Sequence, residues 1–113
     1  MNLVILESPL RGNYELNRRY ARACMLDSIQ RGEAPLASHL LYDQPGILDD
    51  TLKQDRTIGM RLGFAWADRA DYVVVYTDLG MSPGMLEGIE KHRRTGKCII
   101  LRSIGMGWNN GTT

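Results

Sequence analysis

The chain has 113 residues, 43% of them apolar, and a formal net charge of +1 from 14 basic and 13 acidic side chains; this allows one compact core and is too little for two. The charges are spread along the chain, so the basic stripe that duplex nucleic acid requires is missing and DNA is excluded as a partner. The opening MNLVILESP holds five apolar side chains before polar residues return, too few for a signal-peptide core or a membrane span, and a cytoplasmic protein without a membrane partner is expected.

Leu3 to Leu6 reads as a first, fully buried strand, stopped by Ser8-Pro9 and Arg11-Gly12. Glu15 to Arg31 has helical composition, with Leu16, Tyr20, Ala21, Cys24, Met25 and Ile29 able to line one face and Gly32 just past the last turn. Pro35 and LASHLLY predict a short second strand around Leu36 to Ser38, and DQPGILDD predicts a long loop dense in turn formers. Thr51 to Arg69 carries Ile58, Leu62, Ala65 and Trp66 at helical spacing, with Gly59 and Gly63 four apart.

Tyr72 to Tyr76 is a third strand, followed by a glycine-bearing loop and a helix from Pro83 to Arg94 with Ser82 as its N-cap. Gly96 ends that helix before a fourth strand at Cys98 to Leu101. Residues 105–113, rich in Gly and Asn, read as a flexible tail unless Trp108 docks on a neighbouring chain, which leaves residues 1–104 as a single α/β domain. Cys24 and Cys98 are expected to be small buried apolar residues, not a disulfide.

This alternation predicts a Rossmann-like three-layer α/β/α fold with a four- to five-stranded parallel sheet and every βα loop at one edge, where ligands bind. That edge should collect the loops after each strand. In the first, Ser8, Pro9, Arg11 and Gly12 offer a hydroxyl, a rigid ring, a guanidinium and a permissive backbone just before a helix, suited to a phosphate or ribose or, equally, to a plain tight turn. Asn17 could reach the same place or act as a cap.

His39, after the second strand, could donate to a substrate oxygen or transfer a proton, whereas His92 reads as a cation near a helix C-terminus. Asp78 could accept two ribose hydroxyls or cap its own loop, with Gly80, Met81 and Ser82 beside it. Glu87 and Glu90, in the first turns of the last helix, could serve as nucleophile or stabilise positive charge on a sugar, or only complement the helix dipole. No His or Cys pair has zinc-like spacing and no GxGxxG, Walker or GxSxG motif occurs, so no metal and no cofactor is predicted.

The opening strand with SPLRG, and ADYVVVYTDLGMSPGM followed by a helix ending GKCIIL, resemble the nucleoside 2-deoxyribosyltransferase-like superfamily, which includes deoxynucleoside monophosphate N-glycosidases. SPLRG, EAPLASHLLYDQPGILDD and YTDLGMSPGMLEGIE more closely resemble an uncharacterised family of short phage and bacterial proteins related to that superfamily, over about residues 3 to 102. The resemblance implies a nucleoside or nucleotide at the strand ends and homo-oligomers in which neighbouring subunits complete the pocket. It also implies where acids should lie, eight residues before the Gly of the Gly-Lys pair and eight before the Asp that opens the third strand. In this chain those positions are Gly88 and Gly63.

Three readings stay open at this point. One is an enzyme cleaving or transferring an N-glycosidic bond, with Glu90 or Glu87 as its carboxylate. Another is a non-catalytic phage protein that sequesters a nucleotide or ADP-ribose-type signal of host defence. The third is an oligomeric structural protein in which Gly59, Gly63, Phe64 and Trp66 form a helix–helix interface.

Overall fold

A computed structural model describes residues 1–105, 107 and 108. The strands are β1 (Leu3–Glu7), β2 (Ala34–Leu36), β3 (Tyr72–Tyr76) and β4 (Ile99–Arg102), all parallel, in the order β2-β1-β3-β4. The helices are α1 (Tyr14–Gln30), α2 (Ser38–Leu41), α3 (Lys53–Ala67) and α4 (Pro83–Arg94). Because the chain leaves β1 for β2 on one side and later returns to β3 on the other, the topological switch lies between β1 and β3, where open α/β sheets take their ligands.

Alternation along the strands builds two cores. Val4, Leu6, Val74 and Tyr76 face Tyr20 and Cys24 of α1, while Ile5, Val73 and Val75 face Ala67 of α3 and Met85 and Ile89 of α4. Val73, Val74 and Val75 are fully buried, each contributing roughly 1.5–3 kcal/mol. β1 and β3 are therefore apolar on both faces, as central parallel strands must be. Ser82 caps α4 as expected, its side chain accepting from Met85 N at 3.2 Å, and Asn13 caps α1 in the same way, accepting from Leu16 N at 3.1 Å.

At the far side of the α1 core a buried ionic cluster ties three elements together. Arg102 donates to both oxygens of Glu33, at 2.7 and 3.0 Å, and Ser28 and Tyr72 donate to the same carboxylate. The Arg102 guanidinium, with the two hydroxyls, overcomes burial and holds the Glu33 pKa down at about 2.

Three sequence expectations shift. The second strand is Ala34–Leu36, not Leu36 to Ser38, because its ladder begins where Ala34 N donates to Asn2 O at 2.9 Å; Ser38 opens the one-turn α2 instead. Cys24 is buried but Cys98 is exposed, and both are free thiols. In the region read as a tail, Gly105 is bonded to Asp78 and the Trp108 ring packs on Tyr20 of its own chain, 5.2 Å between centroids. Residues 106 and 109–113 of that tail lie outside the described residues.

Candidate functional site

β1 ends in Glu7, and the chain leaving it is pinned before it reaches α1. Asn17 donates to the carbonyls of Leu10 (2.9 Å) and Arg11 (3.2 Å), and Gly12 takes a φ of 105° that only glycine adopts readily. From α2, His39 Nε2 lies 3.0 Å from Ser8 O. Since a carbonyl only accepts, Nε2 is the donor in this contact.

These anchors frame a cavity of about 620 Å³ enclosed by the end of β1, α2, the 42–50 loop, α3 and the first turns of α4. That is the size of a small-molecule site. Glu7, Ser8 and His92 line it, and here polar groups are unmatched: Ser8 Oγ, His92 Nδ1 and His92 Nε2 are buried with no hydrogen-bond partner among the described residues. His92 Nε2 stands 3.6 Å from Glu7 Oε1, too far for a hydrogen bond and near enough for ionic attraction when the ring is protonated. The Phe64 ring packs against His92 with centroids 4.7 Å apart.

Two glycines keep the cavity open. A side chain added at Gly88 would begin 3.7 Å from Glu7 Oε2, and one at Gly63 would begin 3.4 Å from Ser38 Oγ. These are the two positions at which the family resemblance implies acids; in this chain both are glycine, and Glu7 at the end of β1 lies beside Gly88.

The other acids of the wall are engaged. Asp43 accepts from Arg18 (2.6 Å) and Asp50 N (3.0 Å), Asp50 accepts from Tyr14 (3.0 Å), and Asp55 accepts from Asp49 N (2.9 Å). Burial, then the Asp50 carboxylate, raises the Tyr14 pKa and keeps that hydroxyl a donor. Arg11 and Arg56 also line the cavity, and neither forms an ion pair with a carboxylate among the described residues. Tyr42, another wall residue, accepts from Trp66 Nε1 at 2.6 Å.

Of the residues singled out from sequence, Ser8, Arg11, Gly12, His39, Ser82 and Glu87 line the cavity. Pro9, Asn17, Asp78, Gly80, Met81 and Glu90 lie outside its wall. Asn17 is the clamp just described. Gly80 closes a turn, donating to Thr77 O at 2.9 Å with a φ of 83°. Glu90 points into an exposed cluster with Arg93 and Arg94 at 3.6 and 3.3 Å, and Glu87 reaches Lys91 at 3.8 Å from the rim.

For Asp78 the loop-capping alternative is the one the structure contains. Its carboxylate accepts from Tyr20 (2.6 Å), Ser103 (2.8 Å), Ile104 N (2.9 Å) and Gly105 N (2.7 Å). Burial would raise its pKa, but these donors outweigh it and hold the group at about 2. Of the residues named for a helix–helix interface, Gly59, Gly63 and Phe64 line the cavity and Trp66 is 47% exposed.

The cavity wall also contains Glu7 and Arg56, which the sequence did not single out, and His92, which it placed as a cation near a helix C-terminus and which is buried. The signals were present: Glu7 is the charged residue at the C-terminal end of a buried strand, and His92 falls on the Met85, Ile89, His92 stripe that faces inward.

A family model described as "Domain of unknown function (DUF7768)" matches residues 2–102, and the chain belongs to that family. No curated protein matches it in sequence. Among solved structures, it is similar to a 2-deoxyribosyltransferase from the psychrotolerant bacterium Bacillus psychrosaccharolyticus, with a TM-score of 0.68 and 15% identity over 96% of this chain and 77% of that one. The similarity establishes a shared Rossmann-like α/β fold.

Proposed function

We propose that the cavity binds a nucleoside or nucleotide, with its sugar on the Glu7–Ser8–His92 floor and its anionic part beside Arg11, Arg56 and the first turn of α4. The three buried polar atoms without protein partners carry this reading. Each such group costs about 1–3 kcal/mol while unmatched, and a hydroxyl-rich ligand supplies what it lacks. The two wall arginines without carboxylate partners suit a phosphate, and the 2-deoxyribosyltransferase neighbour, a biocatalyst for nucleoside synthesis, supports the same ligand class.

The test is incubation with a panel of nucleosides, nucleotides and ADP-ribose compounds, followed by chromatography of the supernatant and of material released by heating the protein. A retained nucleotide or a liberated base is the expected result. No retained compound, no product and no rise in melting temperature across the panel would remove the nucleotide reading.

A second reading is favoured by Gly63 and Gly88 on the cavity wall: a non-catalytic protein of the bacterial or phage-infected cytoplasm that sequesters such a compound intact. Under either reading the chain forms homo-oligomers whose neighbouring subunits complete the pocket. Light scattering at increasing protein concentration tests the assembly, and a monomer throughout would refute it.

A further inference from the structure

Resting on the nucleotide-binding reading, we infer that Glu7 is the reacting carboxylate of an N-glycosidic bond cleavage carried out in this cavity. Five carboxylates line the cavity, from Glu7, Asp43, Asp50, Asp55 and Glu87. Asp43, Asp50 and Asp55 are hydrogen-bonded to protein donors, and Glu87 sits at the rim with its side chain 62% exposed and Lys91 nearby. Glu7 differs on both counts. Its side chain is only 20% exposed, and among the described residues no hydrogen bond reaches its carboxylate.

The two oxygens of Glu7 have different surroundings. Oε1 leans toward the buried His92 ring at 3.6 Å, while Oε2 lies beside Gly88, 3.7 Å from the point where a side chain there would begin. A cavity-lining carboxylate whose oxygens accept no hydrogen bond among the described residues suits attack on an electrophilic carbon. Ser8 Oγ, on the next residue along the strand end, is buried with no hydrogen-bond partner among the described residues.

In the first step a Glu7 oxygen bonds to the anomeric carbon. The carbon–nitrogen bond breaks, and its electron pair leaves with the base, which takes a proton from solvent. In the second step water attacks the same carbon, the ester bond to Glu7 breaks, its electron pair returns to the carboxylate, and the water's surplus proton goes to solvent. The sum is nucleotide plus water giving free base plus sugar phosphate, with no other reactant.

The experiment compares the wild-type protein with Glu7→Gln on the four 2′-deoxynucleoside and four ribonucleoside 5′-monophosphates, measuring free base and retained intact nucleotide. Base release by the wild type, reduced at least about a hundredfold in the variant while intact nucleotide is still retained, is the expected result. Release at the wild-type rate by Glu7→Gln overturns the assignment. Intact nucleotide retained by the wild type without base release also overturns it but leaves the binding reading standing; neither retention nor release overturns both. Should the variant fail to fold, wild-type protein quenched in acid during turnover is digested and weighed. A sugar-phosphate adduct on the peptide bearing Glu7 supports the assignment, and its absence rejects Glu7 as nucleophile.

Discussion

Two carboxylates stand at the C-terminal edge of the same sheet, and the protein treats them oppositely. Asp78, just beyond β3, accepts from Tyr20, Ser103 and two backbone amides, so its bonding capacity is spent on holding the segment after β4. Glu7, at the end of β1, lines a cavity, accepts no hydrogen bond on its carboxylate among the described residues, and has a buried imidazole 3.6 Å away. Position at the C-terminal edge of the sheet is common to both. What separates them is satisfaction: a saturated acid stabilises the fold, and an unsaturated one is available to something from outside.

The contrast breaks most visibly at Asp78. Asp78→Ala leaves the buried Tyr20 hydroxyl and two amides without their acceptor, and unfolding in urea should show a loss of about 3 kcal/mol. A comparable or smaller loss for Glu7→Ala than for Asp78→Ala separates nothing by itself; the sharper expectation is that Glu7→Gln leaves the urea midpoint nearly unchanged, within about 0.5 kcal/mol. A large destabilisation there would make Glu7 a structural acid like its counterpart.

Acid titration sharpens the same comparison. The folded-state pKa values of Asp78 and Glu33 are depressed to about 2 from ordinary values of 3.8 and 4.5. Their stabilisation is therefore complete above the ordinary range and is lost as pH falls from about 4.5 toward 2, on the order of 2–3 kcal/mol for each group. Melting temperatures measured across that window should fall steeply in the wild type and less steeply in Glu33→Gln, which starts lower. A flat profile would mean that neither acid is held as the hydrogen bonds indicate.

The smallest effect is expected at Gly88. A methyl group there meets Glu7 Oε2 at an ordinary contact distance of 3.7 Å, and an alanine within a helix gains about 0.5–1 kcal/mol over glycine. Gly88→Ala should thus melt slightly higher while weakening nucleotide retention, because it narrows the space before the carboxylate. Tighter retention would show that this space is not used.

Much of the fold was legible because strong local signals agreed: the VVVY run of β3, Ser82-Pro83 opening α4, and Gly32 and Gly96 closing two helices. The four-residue α2 was missed because one turn is too short to display a 3.6-residue period. The site was legible in part. Loop position brought Ser8, Arg11 and His39 to the cavity, but position alone could not tell whether Asp78 was already bonded. That depends on Ser103, Ile104 and Gly105, far along the chain, arriving at the same place. Glu7 falls between the strand expected at Leu3 to Leu6 and the loop expected from Ser8, whereas β1 extends to Glu7 and brings it to the edge of the sheet.

The bond from Trp66 to Tyr42 carries a practical consequence. The chain has two tryptophans; the ring of Trp108 packs on Tyr20 in the α1 core, whereas the half-exposed indole of Trp66 is tethered to a residue of the cavity wall. A molecule entering the cavity displaces or stiffens Tyr42 and so changes the surroundings of the Trp66 indole, giving the unlabelled protein its own emission signal for titrating candidate compounds.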